Sequence, residues 1–335
     1  MLSYILRRII LSIFTLLVIL FASYSMLRLA PGDPTRSNFM NNASSTVSSS
    51  EKNDFAENIS LRKKLKLDKS IMQGFSEWLS DILLKGDFGT SASVEPGRPV
   101  LEMIGERLPI TVKLNLMAIF IAYSIAIVIG VYSARYAESF FDRSSTFILF
   151  LLYSMPVMWV ALLLQSAFCS GGIWEIFPLR GVFSSDTQMS TFKAVFMEMY
   201  CYILPAISLA YGSMAGLARY TRNNMLEVLN SDFIRSARAK GASSTSVLWL
   251  HGFRNTLITL ITLFSSLLPS LVAGSIIVEH IFNIPGMGSL SLLALSSRDY
   301  PLQMILFAFS GILTLIGILI ADLLYTVADP RIKLN

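Results

Sequence analysis

The chain has 335 residues, of which 53% are apolar and only 15% charged, and its mean hydropathy is +0.60. A soluble domain of this length carries nearer ~25% charged residues, so the composition specifies an all-α, polytopic membrane protein. The net charge of +5 does not point to nucleic acid as a partner, because the basic residues cluster at the ends of apolar runs, where they set topology.

In chain order, Arg7 and Arg8 lead into an apolar run at 9–29. It exceeds the roughly 7–15 residues of a signal-peptide core and reads as an uncleaved first span. Five more runs follow, at 112–134, 146–168, 201–218, 257–280 and 303–325. Each can cross a core that needs about 20 apolar residues, and each is predicted helical because no backbone polar group can stay unpaired in lipid. The run at 201–218 is the weakest, since Pro205 and Gly212 interrupt it. Arg135 and Arg143 follow the second run, six basic residues from Arg219 to Arg254 follow the fourth, and Arg331 and Lys333 follow the sixth. Placing these loops inside puts both termini in the cytoplasm.

The organisation predicted is therefore a cytoplasmic tail and first span (1–29), an extracytoplasmic segment (30–111), a core of spans (112–325) carrying a cytoplasmic loop at 219–256, and a cytoplasmic tail (326–335). Within the exported segment, the Asn/Ser-rich stretch 38–58 is too polar to offset its ordering entropy and reads as a mobile loop. Beyond it, Ile71, Phe75, Trp78, Leu79, Ile82 and Leu83 recur at helical spacing, predicting an amphipathic helix at the outer interface or capping the bundle. Gly86-Asp-Phe-Gly89 ends it. No glycine-rich phosphate loop accompanies that Asp-Phe-Gly triplet, so it is no kinase signature.

Several short motifs occur in a fixed order: Pro31-Gly-Asp-Pro34, Leu65-Lys-Leu-Asp68, Gly86-Asp-Phe-Gly89, Gly97-Arg-Pro-Val100, Glu106-Arg-Leu-Pro109, Ala237-Arg-Ala-Lys-Gly241, Glu279-His-Ile-Phe-Asn-Ile-Pro-Gly-Met-Gly288, Arg298-Asp-Tyr-Pro301 and Ala328-Asp-Pro-Arg331. Together with the topology, they resemble the B-type permease subunit of bacterial dipeptide/oligopeptide/nickel ABC importers over nearly the whole chain. The resemblance implies an inner-membrane transport subunit, not an enzyme, which forms half of the pathway beside a second homologous permease. It further implies two ATPase subunits that carry ATP and Mg, an extracytoplasmic substrate-binding protein as donor, surrounding membrane lipid, and no cofactor on this chain. Cargo is expected to be a short peptide, with a nickel chelate or glutathione as alternatives within the family. An ATP-independent carrier is the alternative from another class, and an intramembrane enzyme lacks a nucleophile and base at matched depth.

Residues 230–256 resemble the family's ATPase-docking segment, with Arg235, Ser236 and Ala237 in the places of its Glu-Ala-Ala, four residues ahead of Gly241. The physical reading is a short helix, a break at Gly241, which tolerates positive φ, and a second helix. Ala237 and Ala239 permit close approach, while Arg235, Arg238 and Lys240 can pair with acidic groups of a partner. The competing reading is a basic loop serving topology alone. His251 and Arg254 fall in the same segment. Thr262, Ser266, Ser270 and Gly274 recur every four residues and would share a helical face, lining a water-filled path or letting helices pack closely; Pro269 should bend that helix. Asp322 is ionisable within an apolar run, hence functional by default, unless it sits at the cytoplasmic interface. Cys169 and Cys201 fall at the outer ends of two spans and would either form a disulfide or remain buried thiols. Two histidines without a cluster of further ligands give no metal site.

Overall fold

The computed structural model describes residues 2–29, 68–169, 171–178, 191–267, 271 and 274–328. The Asn/Ser-rich stretch 38–58, the motif at 31–34, Ser270 and the C-terminal residues 329–335 lie outside them. The regular elements among the described residues are helical: α1 Leu2–Leu29, α2 Ile71–Lys85, α3 Val100–Arg135, α4 Phe140–Ser154, α5 Val157–Phe168, α6 Thr191–Leu229, α7 Asp232–Ala239, α8 Ser244–Ser246, a π-helical turn Val247–Phe253, α9 Arg254–Leu267, α10 Ile276–Ile281, α11 Met287–Ser296 and α12 Tyr300–Ala328. The all-α class holds. Among the described residues four helices are long and apolar enough to cross a membrane, or five if the bent pair α4–α5 is one span, against the six runs predicted.

Two departures explain the difference. The run at 146–168 is not one helix, because α4 and α5 meet at 99°. Pro156 lacks an N–H and holds Met155 extended, at φ −80° and ψ 132°, which ends α4. The Tyr211 hydroxyl donates to the Met155 carbonyl at 2.8 Å, satisfying a group that the kink releases. The run at 257–280 is also divided. Its described helix ends at Leu267, and Gly274 has φ +69° before α10 begins. Two amides serve carbonyls on either side of α10: Asn115 Nδ2 donates to the Leu271 carbonyl ahead of it at 2.8 Å, and Gln165 Nε2 to the Ile281 carbonyl at its end at 2.7 Å. Conversely, α6 runs without a break through Pro205 and Gly212 for 39 residues.

The chain forms two compact units. The first comprises Met1–Pro109 with Ser289–Leu315, and the second Ile110–Gly288 with Ile316–Leu334. In the first unit the predicted amphipathic helix is α2, capped by the Ser70 hydroxyl at Gln73 N and closed by Gly86 in the left-handed region. Its Ile71, Phe75, Trp78 and Leu79 pack on Leu20 and Tyr24 of α1 and on Met304 of α12, whereas Leu83 is exposed. In the second unit one apolar core gathers Leu114, Ala118, Ala161, Tyr202, Ala206, Val278 and Phe282. A second joins Val131 and Ala134 of α3 to Met225 of α6 and Leu248 of the π turn.

Candidate functional site

The segment 231–256 of the second unit forms the predicted helix, break and helix. Ser231 precedes α7, Gly241 takes φ +83°, and the Ser243 hydroxyl caps α8 by accepting from Ser246 N at 3.3 Å. A Cβ at Gly241 would meet nothing within 4 Å, so backbone conformation alone calls for glycine here. Ile234 and Val247 are buried, and α7 packs against the π turn. The opposite side is bare. Arg235, Ser236, Arg238, Ala239, Lys240 and Gly241 are exposed, with Ala237 half-buried. Arg235 meets Asp232 at 3.3 Å with both side chains largely exposed, a pair of little energetic value. Arg238 and Lys240 have no ion-pair partner among the described residues. A helix held by its apolar side that offers a cationic, small-residue side is suited to an acidic socket.

The π turn fixes this element to the membrane helices. Trp249 packs edge-on against Tyr132 of α3, with ring centres 6.3 Å apart, and against Phe253 at 5.3 Å. Gly252 lets α6 approach, since a Cβ there would stand 3.2 Å from Met225 Cε. His251 is half-buried in the turn, and its carbonyl accepts from Asn255 Nδ2 at 2.8 Å. Arg254 is exposed at the start of α9.

The four small residues predicted to share a face do not sit on one helix. Thr262 and Ser266 lie on α9, whereas Gly274 stands beyond its end. The reason Gly274 is glycine is also different. A Cβ there would come within 2.7 Å of Gly288 N and 2.9 Å of Glu279 Oε1. Asp322 lies on α12; the side chains of Thr262, Ser266 and Asp322 are outside the described set. Cys169 and Cys201 are both buried free thiols, and burial pushes the Cys169 thiol above its ordinary pKa.

Three polar constellations were not singled out by sequence reasoning. In the second unit, Glu279 is fully buried, and its Oε1 accepts from the Thr111 hydroxyl at 3.0 Å while that hydroxyl accepts from Met287 N at 2.8 Å. Gly274, Gly286 and Gly288 surround the carboxylate, and a Cβ on any of them would fall within 3.0 Å of it. Also in this unit, Arg222 of α6 grips Asp142 with two bonds of 2.7 Å. In the first unit, Asp299 is fully buried. Its Oδ2 accepts from the Ser91 hydroxyl at 2.5 Å and from Ala92, Ser93 and Val94 N at 3.0, 2.9 and 3.1 Å. Its Oδ1 accepts from Leu302 N at 3.2 Å, capping α12. Successive backbone N–H groups turned inward in this way form an anion nest. The cap was readable from Asp299 standing two residues ahead of Pro301; the nest pairs residues some 200 positions apart and left no local signal.

Residues 126–334 match the family model described as binding-protein-dependent transport system inner membrane component, and residues 1–115 match the model of that component's N-terminal part. The oligopeptide transport system permease protein AppB of Bacillus subtilis is 40% identical over 99% of this chain and 100% of its own length. The dipeptide transport system permease protein DppB of Alkalihalophilus pseudofirmus is 33% identical over 99% and 100%, and the di/tripeptide transport system permease protein DppB of Pseudomonas aeruginosa 32% identical over 99% of each. Spanning helices, a fixed cationic helix-turn-helix and a family match along almost the whole length converge: the chain belongs to the inner-membrane components of binding-protein-dependent transport systems, as a transmembrane permease subunit.

Proposed function

We propose that this permease forms half of the translocation pathway of an ATP-driven importer of short peptides. It pairs with a second homologous permease, receives cargo from an extracytoplasmic binding protein, and is driven by two ATPase subunits that hold ATP and Mg. The observation that carries the coupling role is the arrangement around Gly241, where α7 is anchored through Ile234 while Arg235, Arg238 and Lys240 stay exposed. A carrier working alone has no use for such an element. The peptide cargo is supported by relatives named for oligopeptide, dipeptide and di/tripeptide transport. Both termini and residues 219–256 face the cytoplasm in this reading, following the basic loops. Residues 30–111 face outward and help to receive the binding protein.

The test is a detergent pull-down of the wild type against Gly241→Trp, joined to ATP-dependent peptide uptake in proteoliposomes. Because Gly241 is open to solvent and its requirement is backbone conformation, the substitution costs only about 1–2 kcal/mol of fold stability. The wild type should retain the second permease and two ATPases, and the variant should lose only the ATPases. A wild type that purifies alone and moves peptide without ATP would overturn the reading.

A further inference from the structure

The second unit holds a groove of about 1060 Å³ between α4 and α6, floored by the end of α3. Its two ends differ in chemistry. One end carries Asp142, Arg143, Arg219 and Arg222, with Glu138 beside them. The other is lined by Leu149, Phe150 and Tyr153 of α4 and by Ala215 and Gly216 of α6. Phe150 and Tyr153 are 68% and 65% exposed, so the apolar end is open to whatever surrounds the helices. Asp142 and Arg222 bind one another and leave the wall between them neutral. Arg143 and Arg219 are exposed and have no ion-pair partner among the described residues. Three arginines therefore face two carboxylates, and the uncommitted charge is cationic.

The position matters as much as the charge. The polar end lies where α3 closes at Arg135 and α4 opens at Phe140, both belonging to candidate spans. With α4 read as the start of a span, its opening turn falls at headgroup depth and the apolar end runs toward the hydrocarbon. We propose that this groove is a binding site for an anionic phospholipid, whose phosphate lies against Arg143 and Arg219 and whose acyl chain runs along Phe150 and Tyr153. The occupant must be amphiphilic, because α4 supplies Arg143 and then the rings of Phe150 and Tyr153 along its length, while α6 adds Arg219 at the basic end. It must be anionic, because the basic end has charge to spare. Guanidinium groups suit phosphate, since their forked donors match its oxygens. The groove shares no lining residue with the segment 231–256.

The test uses the assembled transporter in nanodiscs of phosphatidylcholine containing a minor fraction of phosphatidylglycerol, read by native mass spectrometry and by photocrosslinking. The wild type should retain phosphatidylglycerol preferentially. Arg143→Ala/Arg219→Ala should lower that retention about tenfold while keeping the partner subunits. A photoreactive residue at Phe150 in the otherwise wild-type chain should label lipid. Equal retention of the two lipids, or unchanged retention in an assembled double variant, overturns the site. So does a crosslink from position 150 to the second permease, which would make the groove a subunit interface. The crosslink decides the matter even if the double variant fails to assemble.

Discussion

Asp299 gathers five hydrogen bonds, with four donors on one oxygen and a helix cap on the other. Asp299→Asn sets an amide against inward-pointing N–H groups or breaks the cap, and should cost about 3 kcal/mol. Thermal unfolding in detergent measures this, and faster proteolysis within 90–98 should accompany it; a variant as stable and resistant as the wild type would refute the nest's importance. Gly288→Ala tests the cage around Glu279. Its Cβ would come within 2.7 Å of Ile276 N and 3.0 Å of Glu279 Oε2, so a loss of about 2–3 kcal/mol is expected, and unchanged unfolding would show that the loop gives way freely. Cys169 and Cys201 are buried thiols, so a maleimide should label neither until the protein is denatured. Rapid native labelling, or two thiols lost to a bridge in nonreducing mass mapping, would contradict the packing described.

At the scale of elements, the helices were legible where apolar spacing was long and regular. The stripe on α2 and the break at Gly241 needed only helical spacing and a glycine in the right place. The interruptions were not legible, because a proline has opposite outcomes in different settings. Pro156 ends α4, whereas Pro205 lies inside an unbroken α6. At Pro156 the freed Met155 carbonyl is served by Tyr211, a side chain distant in sequence, and Asn115 and Gln165 serve the Leu271 and Ile281 carbonyls from a similar distance. Tyr211→Phe removes the bond to the Met155 carbonyl and should cost about 1 kcal/mol. A spin-label distance across the bend should also broaden in that variant; an unchanged distribution and stability would mean that Pro156 holds the bend unaided. The candidate coupling segment was visible in residue types, but its π-helical root, with Trp249 packed on Tyr132, requires tertiary contacts that no local pattern encodes.

For the molecule as a whole, the order of motifs revealed the family, while the number of separate helices did not follow from the number of apolar runs. Arg222 illustrates why. Counted as one more positive charge in a loop, it serves topology; in the structure it is bound to Asp142 and belongs to a helix that continues to Leu229. At 1.5 Å per residue α6 is roughly 58 Å long, about twice the thickness of a bilayer core. Labels at the exposed Phe192 and Tyr220 should stay about 42 Å apart with or without nucleotide. A change of several ångströms on ATP binding would reveal a hinge at Pro205. A stiff α6 is a lever: a tilt of about 5° sweeps its far tip through roughly 5 Å. A push delivered beside the π turn would then register on the opposite side of the membrane as a displacement wide enough to open or shut a passage, with no intermediate joint to absorb it.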